Sequence, residues 1–321
     1  MIRREDVFSG VFGLAVGDAL GVPVEFLDRK LLDDNPVRSM EGYGTHKQPA
    51  GTWSDDTSMV LATLDVLCKG RVSLGLMMDR FSKWYNTGCY TADGTVFDIG
   101  GTTLRAIKKY NAGAGFDLWG ERDERSNGNG SLMRMLPMIY YVRERYGVEI
   151  TPEAVKCIYE VSSLTHAHMI SKVCCVYYVY IGLYILEYGK QKGLDMALVE
   201  AIKAVETFYR RGKEYTCVTD VTKLDSLVDS LNLDRSWIKS TGFVVDSLEA
   251  SIWCLFRTSS YRAAVELAVN LGGDTDTIGA ITGSLAGLYY GLENIPKEWL
   301  DVLRNHELIY SICDRFYEQY K

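Results

Sequence analysis

The 321-residue sequence predicts an all-α fold in one compact multi-helix domain spanning residues 1–321, and three observations carry that prediction. Apolar residues recur at helical spacing along most of the chain, as at Met59, Val60, Leu64 and Leu67. Runs that alternate polar and apolar residues, the mark of half-buried strands, are scarce. There are only six prolines, several at helix boundaries (Pro152, Pro296), and no Pro/Ser-rich linker or fixed-period repeat divides the chain. With 47% hydrophobic and 24% charged residues the composition is that of an ordinary globular protein, long enough to bury a core without staples.

Taken in order, a first helix ends near Asp18 and gives way to the Gly21-Val22-Pro23 turn. A second follows Asp56, and the periodicity predicts further helices over 75–88, 98–110, 131–145, 152–163, 168–188, 194–208, 246–257, 260–270, 277–291 and 299–319. Three long loops are expected, at 28–53, 113–130 and 209–242, and ordered long loops in helical proteins usually carry function. The uncharged stretches 173–186 and 277–292 are shorter than the about 20 residues that a membrane span needs, so both read as buried core helices. Glu5, Asp6 and Asp18 interrupt what would otherwise resemble a signal peptide. In the 277–291 helix, Gly279, Gly283, Gly287 and Gly291 fall at four-residue intervals. Each glycine costs about 1 kcal/mol in a helix interior, so the stripe predicts a second backbone packed very close to a central helix.

The formal net charge of −7 argues against general nucleic-acid binding, although a local pocket can still take a nucleotide-like ligand. Eight cysteines without a C-x-x-C pair, several inside apolar runs such as Val173-Cys174-Cys175-Val176, suggest buried, reduced thiols in a cytoplasmic protein.

Two acidic clusters carry the chemistry. Ser54-Asp55-Asp56-Thr57 and Asp274-Thr275-Asp276-Thr277 each stand at a helix start. Taken singly, each is a cap followed by acids that complement the helix dipole. As a pair they put four carboxylates beside hydroxyls, an oxygen-rich set that would repel itself without cations and that suits a pair of Mg²⁺ or Mn²⁺ ions. No His/Cys set has zinc-ligand spacing. Glu25, between Val24 and Phe26, is either an acid/base group with a raised pKa or a surface glutamate on a turn. Ser126-Asn127-Gly128-Asn129-Gly130 and Asp98-Ile99-Gly100-Gly101-Thr102-Thr103 are glycine turns into helices that would present N–H groups to phosphate, each weak on its own. His166 and His168, two residues apart, are not a chelating pair; one imidazole could line a pocket at the helix break near Thr165-His166. No nucleophile elbow, Walker loop or dinucleotide fingerprint occurs.

These motifs, in their order along the chain, resemble the ADP-ribosylglycohydrolases. The matching stretches are Gly17-Asp18-Ala19-Leu20-Gly21 with Glu25, Trp53-Ser54-Asp55-Asp56-Thr57, Asn127-Gly128-Asn129-Gly130 with Met133-Arg134, Leu164-Thr165-His166, and Gly272-Gly273-Asp274-Thr275-Asp276-Thr277-Ile278-Gly279. The resemblance implies an all-α fold around two divalent metal ions, Mg²⁺ or Mn²⁺. It implies metal ligation by Ser54, Asp55, Asp56, Asp274, Asp276 and Thr277, and ADP-ribose binding by Gly100, Gly101, Ser126, Asn127, Gly128, Asn129, Gly130 and His166. It further implies catalysis by Glu25 and Asp55. Ser54 stands where many relatives have threonine, and it keeps the hydroxyl. The implied activity is hydrolysis of ADP-ribose from an acceptor such as arginine or serine, with an ADP-ribosylated protein or small molecule as substrate. The alternatives are a binding or structural protein of the same fold without turnover, or a hydrolase of another nucleotide-sugar conjugate. A monomer without membrane association is expected.

Overall fold

In a computed structural model, which describes residues 2–211, 224 and 227–321, the chain is helical throughout. Among the described residues there is no strand, only two isolated bridges, Glu121 with His166 and Gly128 with Phe243. The helices are α1 (Arg4–Gly21), α2 (Arg29–Asp34), α3 (Asp55–Leu67), α4 (Leu74–Thr87), α5 (Gly101–Asn111), α6 (Phe116–Trp119), α7 (Leu136–Tyr146) and α8 (Pro152–Ser162). They continue with α9 (Met169–Lys192), α10 (Leu194–Arg211), α11 (Leu227–Ser230), α12 (Val244–Phe256), α13 (Tyr261–Val269), α14 (Thr275–Tyr290), α15 (Lys297–Val302) and α16 (His306–Tyr320).

The axis of the molecule is the antiparallel pair α1 and α14. Gly13, Gly17 and Gly21 of α1 face Gly283, Gly279 and Thr275 of α14, backbone against backbone. A Cβ placed on Gly17 would lie 2.0 Å from the carbonyl oxygen of Gly279, and one on Gly283 would lie 2.2 Å from that of Gly13. The sequence stripe on α14 therefore has a matching stripe on α1. Gly291 does not belong to it: it has φ 92° and ends the helix as a cap. Almost all of α1 is buried, and α9 is buried along most of its length, so neither shows a strong amphipathic pattern. Segments Arg4–Val24 and Met169–Lys192 are long and apolar enough to cross a membrane; 100% and 78% of their apolar windows are covered by the fold itself. One contiguous core runs from Ile2 to Phe316, with a smaller cluster around Trp253 and Ile278. Seven cysteines among the described residues are free thiols.

Helix boundaries depart from expectation where local chemistry intervenes. The helix expected from 131 starts at Leu136, because Pro137 fits only a first helical turn. The helix expected over 299–319 is two helices. Leu303 is buried at the break, Asn305 is left-handed (φ 45°), and Arg304 donates its N–H to the Gly51 carbonyl. The 28–53 and 113–130 loops contain the short α2 and α6. Of the expected 209–242 loop, 212–223, 225 and 226 lie outside the described residues; the remainder holds the end of α10 and all of α11.

Candidate active site

The first acidic cluster is fixed by a residue far away in sequence. Asp18, buried in α1, accepts the Ser54 N–H (2.9 Å), the Thr57 N–H (3.0 Å) and the Thr57 hydroxyl (2.6 Å). It thus occupies the N-terminus of α3, where orphan N–H groups need acceptors. Burial pushes its pKa up to about 6, against the pull of the Thr57 and Ser54 hydrogen bonds. Ser54 is the N-cap of α3, accepting from Asp56 N and donating to Asp56 Oδ2 at 3.1 Å.

The second cluster is delivered by two consecutive left-handed glycines, Gly272 (φ 74°) and Gly273 (φ 72°), a backbone that side chains avoid. A Cβ on Gly273 would lie 2.1 Å from the Ser240 carbonyl oxygen. Phe26 N donates to Gly273 O (2.7 Å) and Gly273 N to Leu27 O (2.9 Å), which ties the Glu25 turn to the start of α14. Arg29 holds the same loop by donating to the carbonyls of Leu271, Arg235 and Ile238.

The two clusters meet. Thr277 Oγ1 donates to Asp56 Oδ2 at 3.3 Å, and Asn129 Nδ2 donates to Asp274 Oδ2 at 2.9 Å. Asp55, Asp56 and Asp276 are buried. Asp56 Oδ1, Asp274 Oδ1 and Asp276 Oδ2 are buried without a hydrogen-bond partner, which in a native site calls for an unseen ion or water. Burial, then neighbouring carboxylates, pushes Asp55, Asp56 and Asp276 well above the ordinary carboxylate range; burial raises Asp274 as well. Hard oxygen donors, orphaned and mutually repelling, fit divalent cations. Glu25 adds to the set: carboxylate atoms of Glu25, Asp274 and Asp276 lie within 4.8 Å of one another.

Glu25 is not the surface glutamate that its turn allowed. It is buried, and burial raises its pKa to about 7 despite a short hydrogen bond to His46 Nε2. Neither His46 nor Asp98 stood out in the sequence as a site residue. The loop that carries His46 is pinned on the Glu25 turn by Thr45 N to Pro23 O (2.9 Å) and Thr45 Oγ1 to Glu25 O (2.7 Å). Asp98 Oδ1 lies 3.9 Å from His46 Nε2, on a left-handed backbone (φ 52°). The available signals were the Gly/Pro-rich loop around His46 and the acid just before Gly100-Gly101.

These groups open on a cavity of about 240 Å³ lined by Glu25, Phe26, Asp55, Asp98, Gly100, Gly101, Thr102, Thr103, Gly128, Asn129, Gly130, Met133, His166, Gly242, Asp274 and Thr277. Thr103 Oγ1, at the end of the 98–103 glycine turn, is buried there without a partner, a polar group to which the motif alone assigns no role. At Gly130 any Cβ would press on His166 (2.9 Å) and Thr103 (3.0 Å), so only glycine leaves this floor open. The Ser126 and Asn127 side chains turn into the loop itself. Ser126 Oγ donates to Glu121, while Asn127 accepts from Ser171 Oγ and donates to Glu124 O, so neither side chain lines the cavity. Their hydrogen bonds shape the loop that presents Gly128 to Gly130.

His166 is wholly enclosed, and burial followed by the Arg134 charge drops its pKa to about 3, so the imidazole is neutral. Arg134, itself fully buried, donates to Thr165 Oγ1 at 2.8 Å, and Thr165 Oγ1 lies 2.8 Å from His166 Nδ1. With Arg134 donating to Thr165 Oγ1, the Thr165 hydroxyl donates its hydrogen bond to unprotonated Nδ1, and Nε2–H is left as a donor beside Gly128 and Gly130. His168 caps α9 instead, accepting the Ile170 N–H.

The raised acids set the sign of a pH effect. A metal-free folded chain holds protons on them more tightly than the unfolded chain, whose carboxylates titrate near their ordinary values of 3.8 and 4.5. Stability of the metal-free protein then falls as pH rises from about 4 through about 7. The melting midpoint in chelator should be higher at about pH 5 than at about pH 7.5, and Mn²⁺ or Mg²⁺ should raise it more at the higher pH. A flat profile, or a larger metal effect at low pH, would contradict this.

Fold and cavity together define a helical protein whose buried carboxylates face a glycine-floored cleft. A sequence model of the ADP-ribosylglycohydrolase family matches residues 1–321, and the chain belongs to that family of glycohydrolase enzymes. It is 30% identical over 310 residues to the ADP-ribosylarginine hydrolase Tri1 of Serratia proteamaculans, covering 96% of this chain and 78% of that one. It is 27% identical over 304 residues to the ADP-ribosyl-[dinitrogen reductase] glycohydrolase of Rhodospirillum rubrum, covering 94% and 90%. A solved structure titled ADP-ribosylglycohydrolase-related protein complex superposes with a TM-score of 0.77 at 29% identity over 99% of both chains.

Proposed function

We propose that this enzyme releases ADP-ribose from modified arginine by divalent-metal-dependent hydrolysis. The observation that carries the reading is the set of partnerless carboxylate oxygens on Asp56, Asp274 and Asp276, beside a cavity floored by Gly128 and Gly130. The relative named for ADP-ribosylarginine favours arginine among possible acceptors, and the one named for dinitrogen reductase favours a protein substrate. Ser54, Asp55, Asp56, Asp274, Asp276 and Thr277 would hold two cations, Mg²⁺ or Mn²⁺. Bound there, the cations would supply Lewis acidity at the reacting ribose.

The chain's own groups do the rest. Backbone N–H groups around Gly100, Gly101, Gly128 and Gly130, with His166 Nε2–H, bind the diphosphate and nearby ribose oxygens. A carboxylate, Glu25 or Asp55, takes the proton of the attacking water. Oxygen bonds to the anomeric carbon as the carbon–nitrogen bond breaks, and its electron pair stays on the guanidine nitrogen. The proton then reaches that nitrogen, giving ADP-ribose and free arginine. The surrounding acids favour the positive charge that develops on the sugar. The same reading has the enzyme acting as a cytoplasmic monomer on protein or small-molecule conjugates, away from membranes and without general nucleic-acid binding.

The test is a panel of arginine-, serine-, DNA- and small-molecule-linked ADP-ribose with Mg²⁺ or Mn²⁺. Turnover of the arginine linkage is expected; turnover confined to another linkage would refute the assignment. Thr165→Val probes the binding role. It breaks the Arg134–Thr165–His166 relay and should weaken ADP-ribose binding roughly tenfold, as one hydrogen bond does. Unchanged affinity by calorimetry would remove His166 from the ligand's contacts.

A further inference from the structure

Next to the carboxylates stands a feature that the chemistry above does not use. Phe26 follows Glu25 directly, lines the same cavity, and leaves 67% of its surface exposed. Its backbone is left-handed (φ 66°), which is rare and costly for a large side chain. The Phe26 N–H to Gly273 O bond holds it there. Its ring leads a short aromatic row: Phe26 to His46 at 6.2 Å between centroids, and His46 to Phe97 at 5.2 Å. Tyr43, Lys47 and Asp98 nearby are also left-handed, so strained backbone gathers on this one side of the cavity. Glu25 and Asp98 add two carboxylates to the lining of the same cavity.

An exposed ring held beside carboxylates suits a flat, delocalised cation, which stacks on the π-face and pairs with the acids at its edge. Adenine would also stack on an aromatic ring, but in ADP-ribose it lies a diphosphate and a ribose away from the reacting carbon. Phe26 adjoins Glu25, at the reacting end.

We infer that Phe26, backed by His46 and Phe97, is the platform on which the acceptor's guanidinium lies, and that it sets preference for arginine over neutral acceptors. This rests on the proposed arginine activity. The experiment compares wild type, Phe26→Ala and Phe26→Trp on ADP-ribosylarginine, with free ADP-ribose as a competing inhibitor of each. Loss of the stack should raise KM for Phe26→Ala about tenfold with kcat little changed, as removal of a cation–π contact does. Phe26→Trp should stay close to wild type, and ADP-ribose should inhibit all three equally. An unchanged KM in Phe26→Ala, or an equal loss of ADP-ribose inhibition, would overturn the platform while wild-type turnover upholds the function. Wild-type turnover of neutral linkages alone would overturn both.

Discussion

Asp276→Asn should cut kcat on the order of 10³-fold and, at the same time, make the metal-free protein more stable. Both effects come from one atom. Asp276 Oδ2 is buried without a partner, while Oδ1 accepts the Thr277 N–H at 2.9 Å. The asparagine keeps that acceptor and replaces the orphaned oxygen with an NH₂ that can donate to the neighbouring acids. Glu25, Asp274 and Asp56 all push the Asp276 pKa upward, after burial, so removing one charge relieves the cluster. Metal binding weakens and turnover falls with it. Kinetics with saturating Mn²⁺, beside melting curves in chelator, check both halves. A merely structural carboxylate would give the opposite pattern: lower stability with activity retained per folded molecule.

Gly283→Ala should destabilise the enzyme strongly, although alanine is the better helix former. The propensity gain is about 1 kcal/mol. Against it stands a methyl group 2.2 Å from the carbonyl oxygen of Gly13, with backbone rather than a movable side chain in the way. Relief requires α1 and α14 to separate along their length, and overpacking of this kind costs about 3 kcal/mol or more. Because Asp18 on α1 fixes the N-terminus of α3 and α14 carries Asp276, the separation also pulls the two acidic clusters apart. The expected result is a melting midpoint lower by several degrees and weaker metal binding. A midpoint at or above wild type would mean that the two helices do not pack at this distance.

The helices were legible because most present one apolar face, and the acidic clusters were legible because residue type and helix-start position coincide in both. The glycine stripe showed that α14 packs closely, but its partner could not be read: α1 is apolar on all sides, so no periodicity points to Gly13, Gly17 and Gly21. The role of Asp18 could not be read locally, because its bonds to Ser54 and Thr57 cross 36 and 39 residues of chain. His46 and Asp98 owe their places to left-handed turns and loop-to-loop hydrogen bonds, which residue types do not encode locally. The side-chain partners of Ser126 and Asn127 were hidden for the same reason: a polar residue in a glycine turn can face outward or brace the loop, and here both side chains brace it.

The most direct measurement is ADP-ribose release from ADP-ribosylarginine by chelator-treated enzyme as Mn²⁺ or Mg²⁺ is added back. Release should be absent in chelator and return as the cation binds, with Asp276→Asn slower on the order of 10³-fold even at saturating cation. Undiminished release in chelator, or none from enzyme shown to hold its metal, would contradict the account.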